Sequence, residues 1–537
     1  MVRLVLVLLL GRGRVRRAVL PAALGLVAGA CIWVFHGVRV EAIGSNADSL
    51  TVHTPVKAHL RDGSTVLYRT GVLLARDTLR GPGVRYGLTL RDSTAVLVVP
   101  LDSVVAMESF RRTTNVAASA IVSTLATGAT VFAGVLLAIV ICFSSGRCGN
   151  CPTVYADSAG TFALRGEGFS YTLGPAFEMR DVDRLGIRPD RDGVIRLEVR
   201  NEALETQYFN HLELLEVRHA TDETALPDPD GAAVAVAGLV PATTIADATG
   251  RDLRLLLALP DGAAFRTDAR TLASVSPDHL DDAVYFVAPA PAGADSVALV
   301  LRLKNSLLAT LLYSEVMLGD RGARALDWIG RELDGEGAGW GGGAALARWQ
   351  EQRMGMRVSI WDGHRYRETA RIRDSGPLAW KDVAVLIPVV QQDSIRVRLS
   401  FPADNWRIDR AVFATRARHP VVRTLAFGRL LDAEGRDDSS ALASVRRADQ
   451  RYLRTSPGER FTVVADVGTP AVEPARTFLI ATQGYYEPWI AHDGLRAARD
   501  TGAVESFDAG LLKALRQWGT TREARERAFA TPPSPGQ

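Results

Sequence analysis

Residues 116–143 read VAASAIVSTLATGATVFAGVLLAIVICF, twenty-eight positions without a charged side chain. A helix of that length reaches ~42 Å at 1.5 Å per residue, more than the ~30 Å hydrocarbon core of a bilayer. The run predicts a transmembrane helix over 113–146, with a buried helix in a soluble core as the alternative. Its first half is rich in Ala, Ser, Thr and Gly, residues that let helices approach closely in lipid, which allows a homo-oligomer through this helix.

A second apolar stretch begins the chain. Arg3, Arg12, Arg14, Arg16 and Arg17 precede an uncharged run from Ala18 to Phe35, so 1–36 reads as an export signal or membrane anchor. LVAGAC ends at Cys31 with small residues before it, making Cys31 the candidate for lipidation, although Ala28 stands where Leu is usual. Sidedness is contradictory. The N-terminal Arg cluster starts the chain inside, so two spans return its large C-terminal region to the cytoplasm. Arg111 and Arg112 before the second run, against Arg147 after it, place that region outside. The reading adopted places the large C-terminal region outside the cytoplasm.

The 537 residues suffice for several domains, and 47% hydrophobic with 23% charged residues excludes wholesale disorder. A net charge of +3 gives no electrostatic case for nucleic acid. The four cysteines, Cys31, Cys142, Cys148 and Cys151, leave the last 386 residues without any, so apolar burial rather than a disulfide framework stabilises them.

Outside the two runs the pattern is β. In 37–112, VKAHL and STVLY flank Asp62-Gly63, a hairpin signal, and further short apolar runs predict a small barrel or sandwich. After the second run, VIRLEVR and HLELLEVRH alternate, and KDVAVLIPV, DSIRVRLSF and NWRIDRAVF continue as strands. LLATLLYSEVML, ARALDWIGREL and AALARWQEQRM have helical spacing, and so has the stretch from Phe507 toward the C-terminus. The partition expected is 1–36 anchor, 37–112 small β domain, 113–146 transmembrane helix, 147–275 first sandwich, 276–420 second, jelly-roll-like domain with a helical insertion, 421–495 C-terminal β region, and 496–537 helix and tail. The fold class is thus mainly β, with a few inserted helices.

No signature of chemistry is complete. His-Glu-x-x-His and Gly-x-Ser-x-Gly are absent, and the glycines of GEGAGWGGG lack the phosphate-loop spacing. RPDRDG and LPDPDG read as Asp-Gly turns rather than calcium loops. Glu202 and Glu205 could serve as the paired carboxylates that a glycosidase requires, although the reading preferred for them is structural. Trp361, Trp380, Trp406, Tyr485, Tyr486 and Trp489 are the candidate binding aromatics, able to lie under a sugar ring or to fill sandwich cores.

The order of CPTVYAD, RNEALETQYFNHLELLEV and GYYEPW, with NWRIDRAVF between the last two, resembles a family of uncharacterised bacterial envelope proteins. In that family a lipoprotein-type N-terminus and a small β unit around Leu-x-Asp-Gly-Ser, here Leu60 to Ser64, precede an apolar segment. A Cys-Pro-x-x-Tyr start to a large β region follows, here Cys151 to Tyr155. The likeness covers about 50–490. It implies architecture and envelope location, and no activity. Cys151 matches the family's Cys-Pro, whereas Cys148 is extra. A zinc site needs four ligands and a thioredoxin-type site needs a helix after its cysteine pair, so the pair reads as structural thiols, with a disulfide as the alternative.

The expectation is a non-catalytic, membrane-anchored envelope protein, without cofactor or metal, whose sandwiches bind a protein or glycan partner. The alternatives are an envelope polysaccharide hydrolase using loop carboxylates and a structural protein assembling through its apolar helix.

Overall fold

Seven short strands between Ser49 and Ser109 pair antiparallel into one sheet, here sheet I, whose eighth strand is Ile490–Ala491 from near the other end of the chain. The computed structural model describes residues 49–75, 77–87, 92–110, 151–158, 161–318, 321–332, 343–390, 393–449, 451–468, 475–496 and 506–530. The anchor expected over 1–36, with Cys31, and the transmembrane helix expected over 113–146 lie outside them. Among the described residues no helix is long and apolar enough to cross a membrane.

The hairpin expected at Asp62-Gly63 joins Val56–Leu60 to Thr65–Tyr68. Gly63 has φ +82°, which a side chain resists, and Asp62 Oδ1 accepts the Ser64 amide at 3.0 Å to hold the turn. RPDRDG and LPDPDG are also turns: Asp190 Oδ1 accepts the amides of Asp192 and Val194, and Asp228 Oδ1 those of Asp230 and Ala232.

Two sandwiches follow, and they interleave in sequence. In the first, sheet II contains Arg429–Leu431, Arg460–Asp466, Val194–Arg200, Thr153–Ser158 and Thr161–Glu167 in spatial order. Sheet III contains Met179–Arg184, Ala475–Pro488, Glu205–His219 and Val421–Leu425, with Leu453–Thr455 also on Glu205–His219. Val154, Leu197, Phe209, Leu214, Phe461, Val463 and Ile480 meet between them. Alternation along each strand sends one set of side chains inward, which is why VIRLEVR buries Ile195, Leu197 and Val199 together.

The second sandwich uses only residues between these strands. Sheet IV runs Thr224–Pro227, Ala233–Val240, Trp406–Arg418, Ser296–Asn305 and Lys381–Pro388; sheet V runs Thr244–Asp247, Asp281–Pro289, Ser394–Pro402, Met356–Trp361 and Tyr366–Ile372. Phe286, Leu301, Val358, Val385, Leu399 and Trp406 fill its core. The expected division into 147–275, 276–420 and 421–495 therefore does not follow the sheets. Strands after Val421 complete the first sandwich, and the second is an insertion within it. Local patterning marks strands but not their partners, and here partners lie far apart in sequence: Ile490 pairs with Met107, and Arg454 reaches Glu108, 346 residues away.

The helical insertion, Leu308–Thr310 through Gly343–Arg353, and the helix Phe507–Ala530 pack with sheet I in one apolar cluster. It joins Val66 and Met107 of sheet I to Tyr171, Leu312, Trp328, Tyr486, Leu511 and Trp518. The described residues accordingly form one compact unit.

Candidate functional site

Glu202 and Glu205 are held by different partners. Glu202 Oε2 accepts the hydroxyls of Thr153 and Tyr155, both at 2.8 Å, and Arg200 lies 3.8 Å from its other oxygen. Glu205 is buried, and its Oε1 accepts from Gln207 Nε2 at 2.9 Å. Burial pushes the Glu205 carboxyl up to about 8. Nearby, Asn201 Nδ2 donates to the backbone oxygens of Glu205 and Thr455. The polar stretch NEALETQ thus serves to satisfy a strand junction.

Four of the six candidate aromatics are interior. Trp406 lies in the second sandwich core and Tyr486 in the helical cluster. Tyr485 stacks on Tyr208 with centroids 4.7 Å apart, and Trp489 stacks on His59 at 4.2 Å. None of these four presents a ring to solvent. Trp361 and Trp380 are half-buried, Trp380 with Lys304 Nζ 5.0 Å from its ring centroid.

GYYEPW and ETQYF meet sheet I in a buried ionic clasp. Glu108 Oε1 accepts Lys57 Nζ at 3.0 Å and lies 3.3 Å from His59 Nε2; Oε2 accepts Thr206 Oγ1 at 2.9 Å and Arg454 at 3.0 Å. Trp489 Nε1 donates to Thr206 Oγ1 at 2.8 Å. Burial alone would raise the Glu108 pKa, but Lys57 and Arg454 hold it well below the usual carboxylate range. Burial lowers the pKa of Lys57 and of His59. Gly484 is required by close approach: a Cβ there would lie 2.2 Å from the Tyr208 carbonyl oxygen. These motifs, which carry the sequence resemblance, are spent on joining layers.

Cys151 is a buried free thiol whose Sγ donates to Glu167 Oε1 at 2.9 Å. Burial, with Glu167 beside it, pushes the thiol pKa well up, so the nucleophilic, metal-binding thiolate is disfavoured. Glu167 Oε2 accepts the amides of Leu378 and Ala379 at 2.6 Å, tying the two sandwiches together, and burial raises this carboxyl to about 7. Among the described residues no three His, Cys, Asp or Glu side chains converge to hold a metal ion. A cleft between the sandwiches, bordered by Arg180, Asp181, Arg373 and Lys381, has about 20 Å³ of free volume. That is room for water rather than for a ligand.

The surface with binding chemistry is the outer face of sheet V. Strand alternation turns Val358, Ile360, Val397 and Leu399 into the core and their neighbours outward. Tyr285 pairs with Arg398, Arg398 with Ser359, and Trp361 with Tyr366, so these side chains share one face. The Trp361 and Tyr366 rings are 5.2 Å apart, Tyr285 and Tyr366 6.0 Å, and the Arg398 guanidinium lies 4.9 Å from the Tyr366 centroid. Tyr285, Trp361 and Tyr366 are all half-buried, and Arg396 is exposed. Sequence reasoning found Trp361 but missed Tyr285, Tyr366, Arg396 and Arg398. The two-residue spacing of Arg396 and Arg398 was a visible signal; their proximity to the rings depended on strand order.

No protein-family model and no curated protein sequence matches this chain.

Proposed function

We propose that this is a non-catalytic, membrane-anchored protein of the bacterial envelope that binds a glycan on the outer face of sheet V. The observation that carries the reading is the contrast between that face and the interior. Trp361, Tyr366 and Tyr285 sit together at the surface beside two arginines, whereas Glu108, Glu167 and Glu205 are buried at junctions between layers. A hydrolase needs an acid and a second carboxylate facing one substrate. Glu202 and Glu205, the pair considered for that role, are held by different partners.

Anchorage rests on the two uncharged runs and on the likeness to envelope proteins. Sidedness draws support from the fold. Sheet I, before the run at 116–143, shares a core, a strand pairing and the Glu108 clasp with the chain after it. Pieces packed on one another lie on one side of a bilayer, so a single crossing between Phe110 and Cys151 would tear the unit apart. With the pieces before and after the run on one side, the N-terminal Arg cluster sets orientation, leaving the folded unit outside the cytoplasm.

The test is to incubate the full chain, purified in detergent, with polysaccharide extracted from envelopes. Co-sedimentation without new reducing ends is the expected result. Release of reducing ends would establish a hydrolase instead.

A further inference from the structure

Resting on that glycan-binding reading, we propose that the outer face of sheet V is specific for an acidic polysaccharide. In this arrangement Trp361 and Tyr366 lie against sugar faces while Arg396 and Arg398 pair with the carboxylates of the chain.

The charge balance of the face supports this. Its carboxylates are already engaged: Asp362 accepts the amides of His364 and Arg365 and pairs with Arg367, Glu368 pairs with Arg371, and Asp281 pairs with Arg353 and Arg357. Among the described residues Arg396 and Arg398 have no carboxylate partner, and the buried Nε of Arg398 has no acceptor. A guanidinium offers a planar fork that matches a carboxylate, and it is favoured further by stacking on an aromatic ring. Arg398 is already positioned in this way over Tyr366. Register sets the two cations on one strand two residues apart, ~6–7 Å along it, with Arg398 opposite the buried Ser359.

The same face is poorly suited to other polyanions. A protein interface has an apolar core, but the strongly exposed large apolar side chains, such as Leu97, Leu255, Leu259 and Val421, belong to no strand of sheet V. Nucleic acid needs many phosphate contacts, and two arginines on a chain of net charge +3 supply few.

Binding of the full chain in detergent to polygalacturonate, alginate and hyaluronate is compared with binding to neutral dextran and to polyglutamate. The expected result is retention by at least one acidic polysaccharide and not by dextran or polyglutamate. Trp361→Ala and Arg398→Gln should each weaken it at least about tenfold while thermal unfolding stays unchanged. Because Trp361 is half-buried, R396Q/R398Q serves as a second variant, altering only the outer face. Equal binding by wild type and all three variants, or equal binding to polyglutamate, would overturn the proposal. Retention of extracted envelope polysaccharide that ignores these substitutions would overturn it too, yet leave the broader glycan reading intact. No retention of any polysaccharide would sink both.

Discussion

Arg454 donates to Glu108 Oε2 at 3.0 Å, joining the strand Leu453–Thr455 of the first sandwich to the strand Val104–Ser109 of sheet I. With Lys57 on the other oxygen, one buried carboxylate is shared by two buried cations. Removing it strands both charges, and breaking a buried pair in this way costs roughly 3–5 kcal/mol. Glu108→Gln is expected to lower stability by about that amount, read as a shift of the urea midpoint without a change in slope. A midpoint equal to wild type would deny the clasp its role.

The same carboxylate sets an acid limit. Its pKa in the fold is depressed, so its contribution is fully present above the unfolded value and is lost as pH falls through the folded one. Wild type should therefore lose stability below about pH 4.5, and E108Q should lose less over the same window, as measured by unfolding midpoints at pH 3 to 6.

Glu205 behaves oppositely. Its carboxyl is raised to about 8 by burial, so the folded state holds a proton the unfolded chain releases near its ordinary value. Stability falls as pH rises from about 4.5 toward 8. Glu205→Gln keeps a neutral group beside Gln207 and should raise stability at pH 8 by roughly 2–4 kcal/mol while changing little at pH 4. Unfolding midpoints at the two pH values check this.

The helix Phe507–Ala530 is bound to the second sandwich through Asp404, which accepts Trp518 Nε1 at 2.7 Å and lies 3.2 Å from Arg522. Trp518 is fully buried. Its replacement by Ala should cost about 3–5 kcal/mol, seen as a lower Tm and faster proteolysis of the C-terminal helix.

Cys151, buried and neutral, should resist iodoacetamide at pH 8 in the native protein and react in urea, as read by mass spectrometry of its peptide. Native labelling would return the thiol to consideration as a reactive group.

The strand character of this chain was legible because alternation is a local property: VIRLEVR and SIRVRLSF announce an inner and an outer face. Asp62-Gly63, RPDRDG and LPDPDG announced turns for the same reason. Partnership was not legible. Nothing near Val421 indicates that it returns to pair with Arg218, and the second sandwich therefore reads as a neighbour rather than an insertion. The aromatics illustrate the same limit. Burial depends on what packs opposite, so Tyr486 and Trp489 looked like Trp361, while Tyr366 became visible as a site residue only once its strand lay beside Met356–Trp361.

Under the proposed function, the described residues before and after the apolar run form one folded unit on one side of the membrane. Thr94→Cys in sheet I and Arg436→Cys in the first sandwich place exposed thiols on either side of the apolar run in sequence. A membrane-impermeant maleimide applied to intact cells with a permeable outer layer should label both thiols. Labelling of one alone, the other reacting only after lysis, would put the two pieces on opposite sides and contradict the shared core.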